Sequence, residues 1–195
     1  NKLAHGDVSD MTSHDIDFSG VTFRYEEGVD VLTDFSLKLE SGKKYALVGS
    51  SGSGKSTIAK LISGFYPVSS GELKIGGVDI SKYKRETLEH EIAFVFQNAK
   101  LFKTSIYENV KIGRPDASRE EVIKALDLAM CGSILDKFET REDTIIGAKG
   151  VHLSGGETQR IAIARAILKD APIIILDEAS AASDPENEYE MQQAF

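Results

Sequence analysis

Gly49-Ser50-Ser51-Gly52-Ser53-Gly54-Lys55-Ser56-Thr57 is the stretch on which the fold of this chain turns. It is a full match to the phosphate-binding pattern of Gly, four residues, Gly-Lys and Ser or Thr. Ahead of it, Tyr45-Ala46-Leu47-Val48 reads as a short buried strand; behind it, Ile58, Leu61, Ile62 and Phe65 recur at helical spacing. The sequence therefore predicts strand, loop and helix in succession. Glycines let the backbone curl closely round an anion, and several amides with the positive end of the following helix then face its oxygens. Lys55 adds a mobile full charge, worth on the order of 4 kcal/mol against one phosphate charge at about 4 Å and an effective dielectric of about 20. Ser56 is placed to ligate Mg²⁺. A glycine-rich turn that binds nothing is the plainer alternative, and the flanking strand and helix patterns argue against it. The loop alone leaves kinase, GTPase, helicase and transporter open.

At 195 residues the chain can bury a sizeable core as one domain, or one domain with a subdomain. With 23 basic and 31 acidic side chains its net charge is −8, which disfavours a general binder of nucleic-acid backbones, so no nucleic acid is expected as a partner. The single cysteine, Cys131, excludes an intrachain disulfide framework and sits among apolar helical residues, as a core thiol would. The longest aliphatic run, Ile173-Ile174-Ile175-Leu176, is far too short to cross a bilayer, and no secretory signal is visible.

Residues 1–14 are polar and unpatterned and read as a frayed linker, with the domain running over 15–195. Ile16/Phe18, Val21/Phe23/Tyr25 and Phe35/Leu37/Leu39 alternate with polar neighbours, the mark of antiparallel strands with one wet face, and Glu26-Glu27-Gly28 supplies a turn. Leu73 and Ile75 repeat the alternation, while Ile92 to Phe96 reads as a strand buried on both faces. Ser118 and Glu121 form a capping-box pattern ahead of Val122, Ala125, Leu126 and Ala129, with Gly132 as the expected stop. Ser154 to Leu168 reads as a further helix, and Ile173 to Leu176 as a further buried strand. This order predicts an α/β core, mainly a parallel sheet with flanking helices, preceded by a small antiparallel β layer and interrupted by a mostly helical insertion at about 98–150.

Asp177 and Glu178 follow that last aliphatic strand directly. Ligands gather at the carboxyl ends of strands in parallel α/β sheets, so both acids are expected beside the phosphate loop. Asp177 suits the outer coordination of Mg²⁺, and Glu178 is left to orient or deprotonate an attacking water. In Leu153-Ser154-Gly155-Gly156-Glu157-Thr158-Gln159-Arg160, Ser154 is an N-cap and Glu157 its capping-box partner. Capping does not explain Gly155-Gly156, which cost roughly 1 kcal/mol each in a helix relative to alanine. Bare backbone at a helix start lets an anion approach, and would form a second phosphate-binding surface.

From Ile16 to Phe195 the sequence resembles the nucleotide-binding domain of ATP-binding cassette (ABC) transporters, with a P-loop nucleotide-hydrolase core. Gly49 to Thr57 (Gly49, Ser50, Ser51, Gly52, Ser53, Gly54, Lys55, Ser56 and Thr57) resembles its Walker A, Ile173 to Glu178 its Walker B, and Leu153 to Glu157 its signature, with Glu157 where Gln is commoner. The resemblance implies ATP and Mg²⁺ as ligands. It also implies a head-to-tail dimer in which Ser154, Gly155 and Gly156 of one subunit close over the γ-phosphate held by Lys55 of the other. Tyr25 falls where the family stacks an aromatic ring on adenine, and Gln97 matches the glutamine whose amide reaches Mg²⁺ or the attacking water. Asp184 resembles the D-loop aspartate, although Ala181-Ala182-Ser183 departs from the usual pattern. Leu101-Phe102, Ile106, Glu108-Asn109, Gly113-Arg114-Pro115 and Thr144 to Gly150 resemble exporter segments, with Ala148 where glutamate is usual.

That branch implies ATP hydrolysis powering export, at the cytoplasmic face of a membrane, with a transmembrane domain on the same or a partner chain. Residues 98–150 would be the helical subdomain that meets it. The family's switch histidine lies beyond Phe195, while His5, His14, His90 and His152 all precede Walker B, so the domain is expected to be incomplete at its C-terminus and impaired in hydrolysis. A soluble ABC ATPase acting on a macromolecule, and a regulatory module that binds nucleotide without turnover, are the alternative classes. Net negative charge and the exporter-like stretches weigh against the first, and intact Lys55, Asp177 and Glu178 against the second.

Overall fold

The computed structural model describes residue 3 and residues 5–96, 98–147 and 150–177, in two compact units divided between Ile92 and Ala93. In the first unit β1 (Ile16–Phe23), β2 (Leu32–Leu39), β3 (Ser70–Ile75) and β4 (Val78–Asp79) form an antiparallel sheet in the order β2-β1-β3-β4. Ile16 lies opposite Leu39 and Ile75, and Phe18 opposite Leu37 and Leu73. Ile16, Phe18, Val21 and Phe23 are all buried, although the first pair has even numbers and the second odd. Side chains alternate faces with period two, so this change of parity needs one extra residue. It falls at Ser19-Gly20, where both ladders shift register and Gly20 adopts a φ of 57°. Gly71 crosses the same place with a φ of 81°, and a Cβ there would lie 2.3 Å from the Gly20 carbonyl oxygen.

Three expectations for this unit are corrected. Helix α1 (Lys55–Ile62) follows the phosphate loop and buries Ile58, Leu61 and Ile62, but Phe65 lies past its end and is exposed. Tyr45-Ala46-Leu47-Val48 carries no strand, and Tyr45, Leu47 and Val48 are exposed. A four-residue strand is held by ladder hydrogen bonds from neighbours rather than by its own propensity. The four strands of this unit's sheet pair with one another and not with residues 45–48. The segment expected to fray is docked instead. Gly6 N–H donates to Tyr83 O at 3.1 Å, Val8 N–H to Lys82 O at 2.9 Å and Lys84 N–H to Val8 O at 2.8 Å, just ahead of α2 (Arg85–Glu91).

In the second unit β5 (Ile92–Val95), which begins at the boundary, pairs with β6 (Ile173–Leu176). Between them lie α3 (Ile106–Lys111), α4 (Arg119–Leu128), α5 (Gly132–Leu135) and α6 (Gly155–Lys169). The core is built round α6, which buries every residue from Gln159 to Ala164 and packs against α3 and α4. Ser118 and Glu121 close their capping box, and α4 buries Val122, Ala125 and Leu126. Its stop is Met130, left-handed at φ 56°, while Gly132 opens α5 rather than ending α4. Cys131 is fully buried, and burial pushes its thiol up to about 12, the behaviour of a core residue. In β6 the expected burial on both faces is not met: Ile173 is buried, Ile174 and Leu176 exposed. With β5 its only ladder partner among the described residues, this strand has one covered face and alternates. Phe96, just past β5, is likewise exposed. No helix among the described residues is long and apolar enough to cross a membrane.

Gly71→Ala, which sets a Cβ against Gly20 in a left-handed conformation, is expected to cost about 2 kcal/mol or more of stability. Thermal or urea unfolding reads this directly, and an unchanged transition would contradict the packing described for the bulge.

Candidate functional site

The phosphate loop lies in the first unit. Gly54 is the N-cap of α1 at φ 91°, a conformation costly for other residues, and a Cβ there would come within 2.9 Å of Leu32 Cδ2. Having no side chain, Gly54 leaves the first-turn amides of α1 without a side-chain cap, and no acidic residue stands in that turn. Those donors and the helix dipole therefore favour an anion. Lys55 folds back over the loop, its Nζ donating to Gly49 O at 2.9 Å and Ser50 O at 2.8 Å. Ser53 N–H closes a turn to Ser50 O at 3.2 Å. Buried Thr57 places its Oγ1 3.1 Å from the Tyr25 hydroxyl. That bond brings the predicted adenine-stacking residue to the end of the phosphate loop, 32 positions away in sequence. The Tyr25 ring packs edge-on to Phe23 and Tyr66, with centroids at 4.8 and 5.2 Å, and stays 46% exposed.

The Ser154–Glu157 turn lies in the second unit. Ser154 has extended backbone, its Oγ accepts from Glu157 N–H at 3.2 Å, and its own N–H donates to Glu157 Oε2 at 2.8 Å. This complete capping box starts α6 without drawing on the amides of Gly155 and Gly156. A Cβ on Gly155 would meet no atom of the described residues within 4 Å, so their packing does not demand glycine there. Glu157 is mostly buried, and Lys137 pairs with it from the segment after α5. Burial pushes the Glu157 carboxyl up, but the Lys137 ammonium and the Ser154 N–H outweigh burial and hold it below the usual carboxylate range.

Asp177 follows β6, and its N–H donates to Val95 O at 3.0 Å, which fixes the backbone beside β5. No three His, Cys, Asp or Glu side chains gather as a metal site among the described residues. Ser56 offers a hydroxyl in the first unit and Asp177 a carboxylate in the second, each a hard oxygen donor of the kind that Mg²⁺ takes. Gln97, Glu178, Ala148 and residues 181–184 lie outside the described residues.

Sequence reasoning passed over two residues. Lys137 stands 20 positions from Glu157, beyond any local pattern. Asn109, noted only within an exporter-like segment, is fully buried and spends its amide on the chain around it. Its Oδ1 accepts from Phe102 N–H at 2.7 Å and from Arg165 Nη2 at 3.1 Å, while Nδ2 donates to Phe102 O at 3.0 Å and Ser105 O at 2.9 Å. Arg165, on α6, lies over the exposed Phe102 ring at 5.9 Å. Phe94, Phe96, Phe102, Ile112 and Arg165 line a groove of about 620 Å³ in this unit.

A glycine loop closing through a left-handed cap onto a lysine-led helix defines a P-loop nucleotide-binding domain. The family model for ABC transporters matches residues 32–181, and the chain belongs to that family as its ATP-binding domain. It is 44% identical over 188 residues to the Bacillus subtilis (strain 168) "Putative multidrug export ATP-binding/permease protein YgaD", covering 96% of this chain and 32% of that protein. It is also 44% identical over 190 residues to the ATP-dependent lipid A-core flippase of Escherichia coli (strain K12), covering 96% of this chain and 33% of the flippase. A solved structure of a bacterial Atm1-family ABC exporter with ATP bound superposes with a TM-score of 0.88 at 36% identity, over 98% of this chain and 33% of that one. The chain thus spans about a third of the length of the curated relatives it matches.

Because the Glu157 carboxyl is held below its unfolded value, its stabilising contribution is fully present above about pH 4.3 and is lost as pH falls through the lower folded value. The stability difference between wild type and Glu157→Gln is therefore expected to shrink between about pH 6 and about pH 3. Denaturant titrations across that range check it, and a difference constant with pH would rule the ion pair out as its source.

Proposed function

We propose that this chain is the ATP-hydrolysing domain of an exporter, working at the cytoplasmic face of a membrane with a second such domain and with a transmembrane domain on the same or a partner chain. One observation carries the reading: two bare-backbone helix starts, Gly49–Thr57 and Ser154–Gly156, stand in separate units of one chain. A single nucleotide hardly needs two such cradles from one molecule, whereas a head-to-tail pair uses both. In that pair Ser154, Gly155 and Gly156 of one copy close over the terminal phosphate held by Lys55 of the other. The open space before Gly155 supports this, since none of the described residues fills it.

The Lys55 ammonium and the amides from Gly49 to Thr57 bind and orient the triphosphate, and Tyr25 stacks on the adenine. Ser56 and Asp177, with the Gln97 amide, would hold Mg²⁺, whose chemistry there is to neutralise charge on the phosphate oxygens. Glu178 accepts a proton from water as the water oxygen attacks the γ-phosphorus in line. The bond to the bridging oxygen breaks, and ADP and phosphate leave. Binding clamps the two domains and hydrolysis releases them. The groove beside Phe96, Phe102 and Ile112 offers an apolar face for the transmembrane partner. Equal identity to a protein named for multidrug export and one named for lipid A-core transport supports placing the choice of cargo outside this domain.

Glu178→Gln is expected to leave ATP binding intact, to slow hydrolysis by about a hundredfold or more, and to trap an ATP-bound dimer. Turnover assays with size-exclusion chromatography in ATP check this, and near-normal turnover would remove Glu178 from the role of base.

A further inference from the structure

We infer that Lys137 is a charge-neutralising residue of the glycine turn, which makes the acidic Glu157 compatible with binding a triphosphate there. The inference rests on the reading of Ser154–Gly156 given under Proposed function. In the structure the Glu157 carboxylate has two partners on opposite oxygens: Oε2 accepts the Ser154 N–H at 2.8 Å, and Oε1 meets the Lys137 ammonium. The first bond builds the helix start, and a glutamine could make it equally well through its amide oxygen. The negative charge is the part that capping does not need.

That charge stands in the first turn of α6, one residue past Gly156 and two past the open face of Gly155. A carboxylate is welcome at a helix start, but it occupies the same positive end that would attract the phosphate, and like charges repel across so short a distance. Glu157 does not escape by protonation, since its partners hold it ionised. Lys137 supplies the compensating charge. Its neighbour Asp136 pairs with Arg141, so the adjacent carboxylate is matched elsewhere and Lys137 is directed to Glu157. The Lys137 ammonium is well exposed and the Glu157 carboxylate is not, which puts the cation on the outer side of the pair.

A tether between α6 and the segment after α5 would explain the same contact by packing alone. The two roles differ in how the substitutions combine. In the intact transporter reconstituted in lipid nanodiscs, Lys137→Met is expected to raise KM for ATP about tenfold or more with Glu157 present, because the carboxylate is then uncompensated. In the Glu157→Gln background the same substitution is expected to change KM less than about twofold, and Lys137→Arg is expected to retain the parent KM. Circular dichroism and melting curves identify a Lys137→Met protein that fails to fold, in which case Lys137→Gln takes its place in the cycle. Equal losses in both backgrounds, or no loss in either, would overturn the inference and leave the proposed function standing. An unsubstituted transporter without ATPase activity would instead overturn the proposed function, and this inference with it.

Discussion

The first turn of every α-helix carries amides that the helix itself cannot satisfy, and this chain answers that constraint differently at its two glycine-rich turns. At α1 it leaves them uncapped: Gly54 has no side chain to offer, and no acidic residue follows in the first turn. At α6 it uses Ser154 and Glu157 to close a box round the turn, while leaving the backbone of Gly155 bare. The first arrangement maximises attraction for an anion, and the second fixes the geometry of the cradle. The clamp of two copies proposed above would use both, one surface gathering the nucleotide and the other fitting it closely.

Both cradles were legible in the sequence because their chemistry is local. The glycine spacing of the loop and the Ser-x-x-Glu of the cap lie within single turns, and the folded chain keeps them. The capping box of α4 was readable for the same reason. What failed depended on partners distant in sequence. Tyr45 to Val48 has the composition of a strand, but composition supplies no ladder. Residues 5–9 looked unstructured because the groups that dock them are backbone amides and carbonyls, which every residue carries and no composition reveals. Met130 ends α4 in a left-handed conformation that a glycine would have advertised and a methionine does not. Lys137 escaped notice because its partner Glu157 lies 20 positions away, and the tie of Asn109 to Arg165 went unread because it spans 56. Gln97 and Glu178 rest on sequence reasoning alone.

Asn109 illustrates how polar groups earn a place in a core. It is fully buried, yet its oxygen accepts twice and its nitrogen donates twice, so little desolvation cost is left uncompensated. The result fixes the backbone of Phe102 to α3 and, through Arg165, to α6. An aromatic ring that is exposed to solvent therefore stands on a rigid base. Burial holds the Arg165 guanidinium below its usual pKa, which still leaves it charged at neutral pH and able to serve as a double donor.

The bulge in β1 also governs how the chain can vary in length. Residues before Ser19 and after Gly20 face the core only because the two halves of the strand are counted out of step. Deleting either residue would remove the extra residue and leave Ile16, Phe18, Val21 and Phe23 in one regular inward alternation, and lengthening the turn at Glu26 to Gly28 would likewise leave every inward position where it is. Among descendants of this sequence, one-residue gaps should therefore be found at the bulge as well as length changes at that turn.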